Sequence, residues 1–143
     1  MKFTIYIFTV VVVILFSSFT IKKDEKITNN QVQGIQSIID RDSIITYSKR
    51  YLGTPYLYAG NTPKKGFDCS GFTSYVLSAY KVNLPRRSSD QYTNSKKLKE
   101  NKVQKGDLVF FDNGSGVNHV GMIVSEQGEA PVMIHASTSK GIV

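Results

Sequence analysis

The chain's single cysteine stands in Gly66-Phe67-Asp68-Cys69-Ser70-Gly71-Phe72. A glycine-bearing loop gives way there to an amphipathic run, which puts the thiol at or near a helix N-terminus. Unpaired N–H groups and the positive end of the helix dipole favour an anion in that place. They therefore bias a thiol toward thiolate, its nucleophilic form. The two histidines, His119 and His135, fall on successive stretches of extended pattern, with the turn residues Glu126-Gln127-Gly128-Glu129 between them. In a simple hairpin about that turn the two side chains are directly opposite or one position off. Opposed Cβ atoms lie about 4.5–5.5 Å apart. A one-residue slip would send the rings to different faces.

A thiol, an imidazole that takes and returns a proton, and a group that orients the imidazole are the parts of nucleophilic acyl transfer. Cys69 is expected to attack an acyl carbonyl. His119 is expected to pair with the thiol and then protonate a leaving amine, and His135 to hold His119 in its useful tautomer. Backbone N–H groups at the start of the Cys69 helix are the natural oxyanion donors. Asp68 can cap the helix, where its charge opposes a thiolate; alternatively it binds a substrate amine. Taken singly, a lone cysteine or a strand histidine is more often a packing residue than a chemical one. The three together, with a glycine-flanked cysteine, point to catalysis. One cysteine and two histidines can also hold zinc with an open fourth position, but their separation is too wide for a local metal motif. No metal and no cofactor is expected.

The elements that must position these residues come in two groups. Asp42 to Leu52 carries an apolar stripe at helical spacing (Ile44, Ile45, Tyr47, Ser48, Tyr51, Leu52), with Asp40 or Asp42 as cap and Gly53 as stop. Cys69 to about Val82 is the second helix, with Phe72, Tyr75, Val76, Ala79 and Tyr80 on its apolar face. Asn61 to Gly66 reads as a loop, and Ser88 or Ser89 caps a third, short helical turn. The period then becomes extended over Leu108–Phe111, Val117–Ser125 and Pro131–Ala136, separated by Gly/Asn/Asp/Ser turns. Helices first and an antiparallel meander after define an α+β domain.

The chain has 143 residues and a formal net charge of +7. That length fits one domain plus an N-terminal extension. Met1-Lys2 is followed by a nearly uncharged run from Phe3 to Thr20. Residues 1–21 are expected to be a signal peptide or membrane anchor, 22–40 a polar linker, and 41–143 the catalytic domain. The expected location is outside the cytoplasm: periplasm, cell envelope or extracellular space. A basic exported chain is attracted to anionic polymers and membrane surfaces. No nucleic-acid motif is present. Oligomeric state has no signature in the sequence.

With these residues in place, the chain resembles the NlpC-type cysteine peptidases, papain-like bacterial enzymes of the cell wall. The resemblance covers about Ile44 to Val143. It rests on Gly53-Thr54-Pro55-Tyr56, the Gly66–Phe72 stretch, and Leu84-Pro85-Arg86 with Ser88 and Gln91. It continues through Gly106-Asp107-Leu108-Val109-Phe110-Phe111, Asn118-His119-Val120-Gly121-Met122-Ile123 and Ile134-His135-Ala136-Ser137. It implies a papain-like α+β fold with N-terminal helices packed on an antiparallel sheet, and a Cys69–His119–His135 triad. It implies peptidoglycan stem peptides as substrate, cut between γ-D-glutamyl and diaminopimelate or lysine. It also implies Tyr56 at the active site, and Asp68 and Ser70 helping to hold a free stem amine; each also has a packing or capping role open to it. No chemistry is assigned to Arg86 or Ser88. Two departures stand out. Ala59 occupies a loop position where relatives usually carry glycine. Relatives also continue past the position of Val143 through another strand or two, so the C-terminal strands are expected to be incomplete, leaving an open sheet edge. The rival readings are a non-catalytic wall-binding module of the same fold, or another amidase or acyltransferase that works through an acyl-thioester.

Overall fold

The computed structural model describes residues 40–143. The signal or anchor expected at 1–21 and nearly all of the linker expected at 22–40 lie outside the described residues. The exception is Asp40, which belongs to the domain. Its carboxylate accepts the Asp42 amide (3.1 Å) and the Ser43 hydroxyl (2.6 Å), and so caps helix α1, Arg41–Lys49. The cap fixes the start one residue earlier than the apolar stripe does. The helix also ends three residues early, because Arg50, Tyr51 and Leu52 donate to the third residue back rather than the fourth, and Gly53 follows at φ +80.

The loop expected over 61–66 contains a small hairpin. Strand β1, Asn61–Thr62, pairs antiparallel with β2, Gly66–Phe67. Helix α2, Cys69–Ser78, follows directly. It stops before Val82 because Lys81 adopts φ 63 while Val82 donates to the Leu77 carbonyl, a turn that closes the helix on its own end. Helix α3, Ser88–Thr93, has Arg87 at its N-cap with no side-chain cap bond, so neither Ser88 nor Ser89 plays the expected role. A short 3-10 turn, Glu100–Lys102, interrupts the charged connection.

The sheet is the expected meander. Strand β3, Leu108–Asp112, pairs with β4, Val117–Ile123, which pairs with β5, Met133–Ile134, all antiparallel. The third stretch is not one strand: it breaks at His135 and resumes as β6, Ala136–Ser137, paired with β7, Gly141–Ile142. The His135 and Val143 backbones exchange both hydrogen bonds, at 2.9 and 3.0 Å.

Helices α2 and α3 pack on β4, and α1 packs on α2. The core between them is apolar and aromatic. Phe67 and Phe72 are fully buried, with ring centroids 5.6 Å apart, and Tyr51 stands edge-on to Phe67 and to Tyr75. Phe67 precedes Cys69 by two residues and Phe72 follows it by three. Burial of these rings, about 2–3 kcal/mol each, therefore also fixes the helix start that carries the thiol. The same start is pressed onto the preceding loop: a Cβ on Gly71 would lie 2.0 Å from the Gly60 carbonyl oxygen. Only glycine permits that approach.

Candidate active site

Asp68 forms the N-terminus of α2. Its Oδ1 accepts the Gly71 amide at 2.7 Å, and its own amide donates to the Gly60 carbonyl at 3.0 Å. Among the described residues the Cys69 and Ser70 amides have no protein acceptor, so two N–H groups remain at the helix start beside the thiol. Cys69 is partly exposed. Its Sγ lies 4.0 Å from the carbonyl oxygen of Asn118, the residue before His119. No hydrogen bond joins Sγ to the His119 ring among the described residues.

The histidines meet as expected, though not by the expected register. Met122 pairs with Ile134 and Ile123 with Met133, and extending that register by one residue sets His135 against Gly121, whose added Cβ would lie 3.3 Å from His135 Cβ. His119 is therefore one diagonal step from His135 and on the same face, since two residues along a strand restore the face. The rings touch because Gly121 has no side chain between them: a Cβ there would lie 2.7 Å from Met133 Sδ and 3.3 Å from His135 Cβ. His119 Nε2 and His135 Nδ1 are 2.9 Å apart, and the rings are perpendicular at a 4.9 Å centroid distance. His119 Nδ1 is the nitrogen left over. Phe111, directly across from His119 on β3, covers the imidazole at a 5.8 Å centroid distance.

Burial holds His119 below its ordinary value, and the neighbouring His135 adds to this. Burial also lowers His135, opposed by a backbone hydrogen bond at Ala136. Both rings therefore favour the neutral form, the form that accepts a proton. Tyr56, on the segment that bridges to Phe67, is raised by burial first and then by the charges of Asp68, Cys69 and Tyr58. The expected site residues thus gather at one helix start: Cys69, Asp68 and Ser70 on it, Tyr56 beside it, and the histidines on the adjoining sheet.

Two residues given no role from sequence join them. Arg86 grips Asp68 through both oxygens, Nη1 to Oδ1 at 2.9 Å and Nη2 to Oδ2 at 2.6 Å, and Nη1 also donates to the Ser70 hydroxyl at 3.0 Å. Gln91 is fully buried, and its amide donates to the Ser70 carbonyl, the Ser74 hydroxyl and the Pro85 carbonyl. A positive residue after proline, and a glutamine among charged neighbours, give no signal that they reach back to Cys69. Asp68 is therefore already ion-paired within the protein. A cleft of about 520 Å³ elsewhere, lined by Glu100, Ile123, Glu126, Glu129 and Pro131, contains none of these residues. Among the described residues no cluster of three or more His, Cys, Asp or Glu is placed to hold a metal, and no helix is long and apolar enough to cross a membrane.

Helices packed on an antiparallel sheet, with the cysteine at a helix start and the histidine pair on the sheet, define a papain-like α+β domain. The NlpC/P60 family model matches residues 53–143, and the chain belongs to that family. A protein of Listeria seeligeri named probable endopeptidase p60 is 51% identical over 81 residues, 57% of this chain and 15% of that protein. A Bacillus cereus protein named gamma-D-glutamyl-L-lysine dipeptidyl-peptidase is 41% identical over 98 residues, 66% of this chain and 28% of its own length. The crystal structure of an NlpC/P60 family protein from Bacillus cereus superposes with a TM-score of 0.64 at 34% identity, covering 72% of this chain and 33% of that one. The matched stretch therefore spans less than a third of the length of each of these two named relatives.

Proposed function

We propose that the domain, residues 41–143, is a peptidoglycan hydrolase that cuts stem peptides through an acyl-thioester on Cys69. The observation that carries this is the His119 Nε2–His135 Nδ1 contact of 2.9 Å beside the Cys69 helix start. With His135 Nδ1 as acceptor, His119 carries its proton on Nε2 and presents a bare Nδ1 to the thiol. The thiol's present neighbour is the carbonyl of Asn118, the residue before His119, and the mechanism requires the thiol to turn about its Cα–Cβ bond toward Nδ1. Catalytic hydrogen bonds are often loose in an unliganded site.

His119 removes the thiol proton as sulfur attacks the amide carbon. The C–S bond forms, and the oxyanion is received by the free Cys69 and Ser70 amides. Collapse breaks the C–N bond, and His119 returns the proton to the leaving amine. Water, deprotonated by His119, then attacks the thioester, releasing the carboxylate product and the thiol. Tyr56 flanks this centre, and Asp68 and Ser70 shape its rim. The bond cut is that between γ-D-glutamyl and diaminopimelate or lysine; the name gamma-D-glutamyl-L-lysine dipeptidyl-peptidase, carried by the Bacillus cereus relative, supports that class of bond. Residues 1–21 export the chain or anchor it to the membrane, placing the domain at the wall.

The test is release of stem-peptide fragments from purified peptidoglycan, followed by mass spectrometry. Cys69→Ala is expected to reduce release to background while the protein unfolds at the parent temperature. An unchanged rate in that variant would sink the assignment.

A further inference from the structure

Asp68 presents an electrostatic conflict. It is needed as the cap of α2, yet its charge sits one residue from the thiol and opposes a thiolate. The carboxylate is also withdrawn from water, with 13% of the side chain exposed, so solvent screens it weakly. We propose that Arg86 is a positioning residue whose guanidinium cancels the Asp68 charge, so that the cap supports the Cys69 thiolate instead of opposing it. This rests on Cys69 being the nucleophile and goes beyond it by assigning the group that makes the helix start tolerate the charge.

The geometry is a two-pronged fork, with the two nitrogens on the two carboxylate oxygens. A lysine's single ammonium cannot reproduce that arrangement. Arg86 also reaches the Ser70 hydroxyl at 3.0 Å and the Gly60 carbonyl at 3.4 Å, so it spans both sides of the helix start. Its place is set from below: Gln91 holds the Pro85 carbonyl at 2.9 Å. The other titratable groups here supply no compensating cation. Tyr56 and Tyr58 come from the preceding loop, and His119 and His135 from the sheet, where burial favours their neutral forms. Among the described residues, Arg86 is the one cation in contact with Asp68.

The test is iodoacetamide alkylation of the full chain as a function of pH, read by intact mass. The chain has 1 cysteine, so the signal belongs to Cys69 alone. No substrate is involved, so this experiment and the peptidoglycan assay fail independently. Arg86→Gln is expected to move the half-maximal pH up by about one unit, a tenfold loss of reactivity on the acid side. Arg86→Lys should recover much of that shift. Asp68→Asn, which preserves capping ability, leaves the guanidinium uncompensated and should move the curve down. The double variant, Asp68→Asn with Arg86→Gln, should return to the parent curve. A role confined to stability would change unfolding temperatures and leave the four curves superposed, which overturns the proposal. Should Arg86→Gln not fold, Asp68→Asn and the double variant decide it: an unmoved curve in Asp68→Asn is refutation.

Discussion

Gln91 offers a quantitative test of how the site is held. Its side chain is fully buried between α2 and α3. Its Nε2 donates to the Ser70 carbonyl at 3.1 Å, the Ser74 hydroxyl at 2.9 Å and the Pro85 carbonyl at 2.9 Å, and its Oε1 accepts from the Thr73 hydroxyl at 3.0 Å. Gln91→Met keeps most of the volume and removes every one of these bonds. Some partners recover: Thr73 already reaches the Ser70 carbonyl at 3.1 Å, and Ser74 lies 3.4 Å from the Pro85 carbonyl. Two amide bonds are then lost without replacement, at about 1–1.5 kcal/mol each. The expected destabilisation is about 2–3 kcal/mol, or about 10–20 °C in midpoint for a domain of this size. Thermal unfolding by circular dichroism, with urea titration for the free energy, measures it. Because Gln91 also holds the Pro85 carbonyl ahead of Arg86, fragment release should fall more than unfolding alone accounts for at a temperature where the variant is folded. A loss under about 0.5 kcal/mol would refute the reasoning, since two buried hydrogen bonds lost without replacement cost more than that.

Ala59 sits at φ 59. That region costs an L-residue about 1–2 kcal/mol, partly offset by the extra freedom glycine gives the unfolded chain. Ala59→Gly is therefore expected to stabilise by about 0.5–1 kcal/mol in urea titration, and a destabilised variant would contradict the strain. The histidine pair gives a pH dependence of definite sign. Both values are lowered from 6.5 in the folded protein, so the unfolded chain takes up protons first as pH falls below that point. Stability should decline from near 6.5 down to the folded values, and be unaffected by these groups above that range. A His119→Gln/His135→Gln variant should lose less between about pH 7.5 and 5.5; equal slopes in urea titrations would show that the pair is not the cause.

The local elements around the candidate site were more legible in the sequence than the geometry that joins them. The glycine-flanked cysteine at a helix start and the helical stripes of α1 and α2 are local signals, and helices stand at both places. The strands β1, β2, β6 and β7 were not visible, because each is two residues long and cannot show an alternating pattern. The break at His135 comes from its backbone pairing with Val143, a contact made across the fold. The histidine register depends on Gly121, which reads as an ordinary strand glycine until its neighbours are known. Arg86 and Gln91 stand after a proline and inside a polar helix, and only tertiary packing brings them to Cys69.

The most direct measurement is capture of the covalent intermediate. The full chain is mixed with a stem peptide carrying a γ-D-glutamyl–lysine bond, quenched in acid within the first turnover and weighed intact. The expected result is a mass increase equal to the acyl half of the peptide, located on Cys69 by fragmentation. The adduct should be absent in Cys69→Ala and strongly reduced in His119→Ala. Cleavage of the peptide with no adduct on Cys69, or undiminished cleavage by Cys69→Ala, would contradict the thiol mechanism.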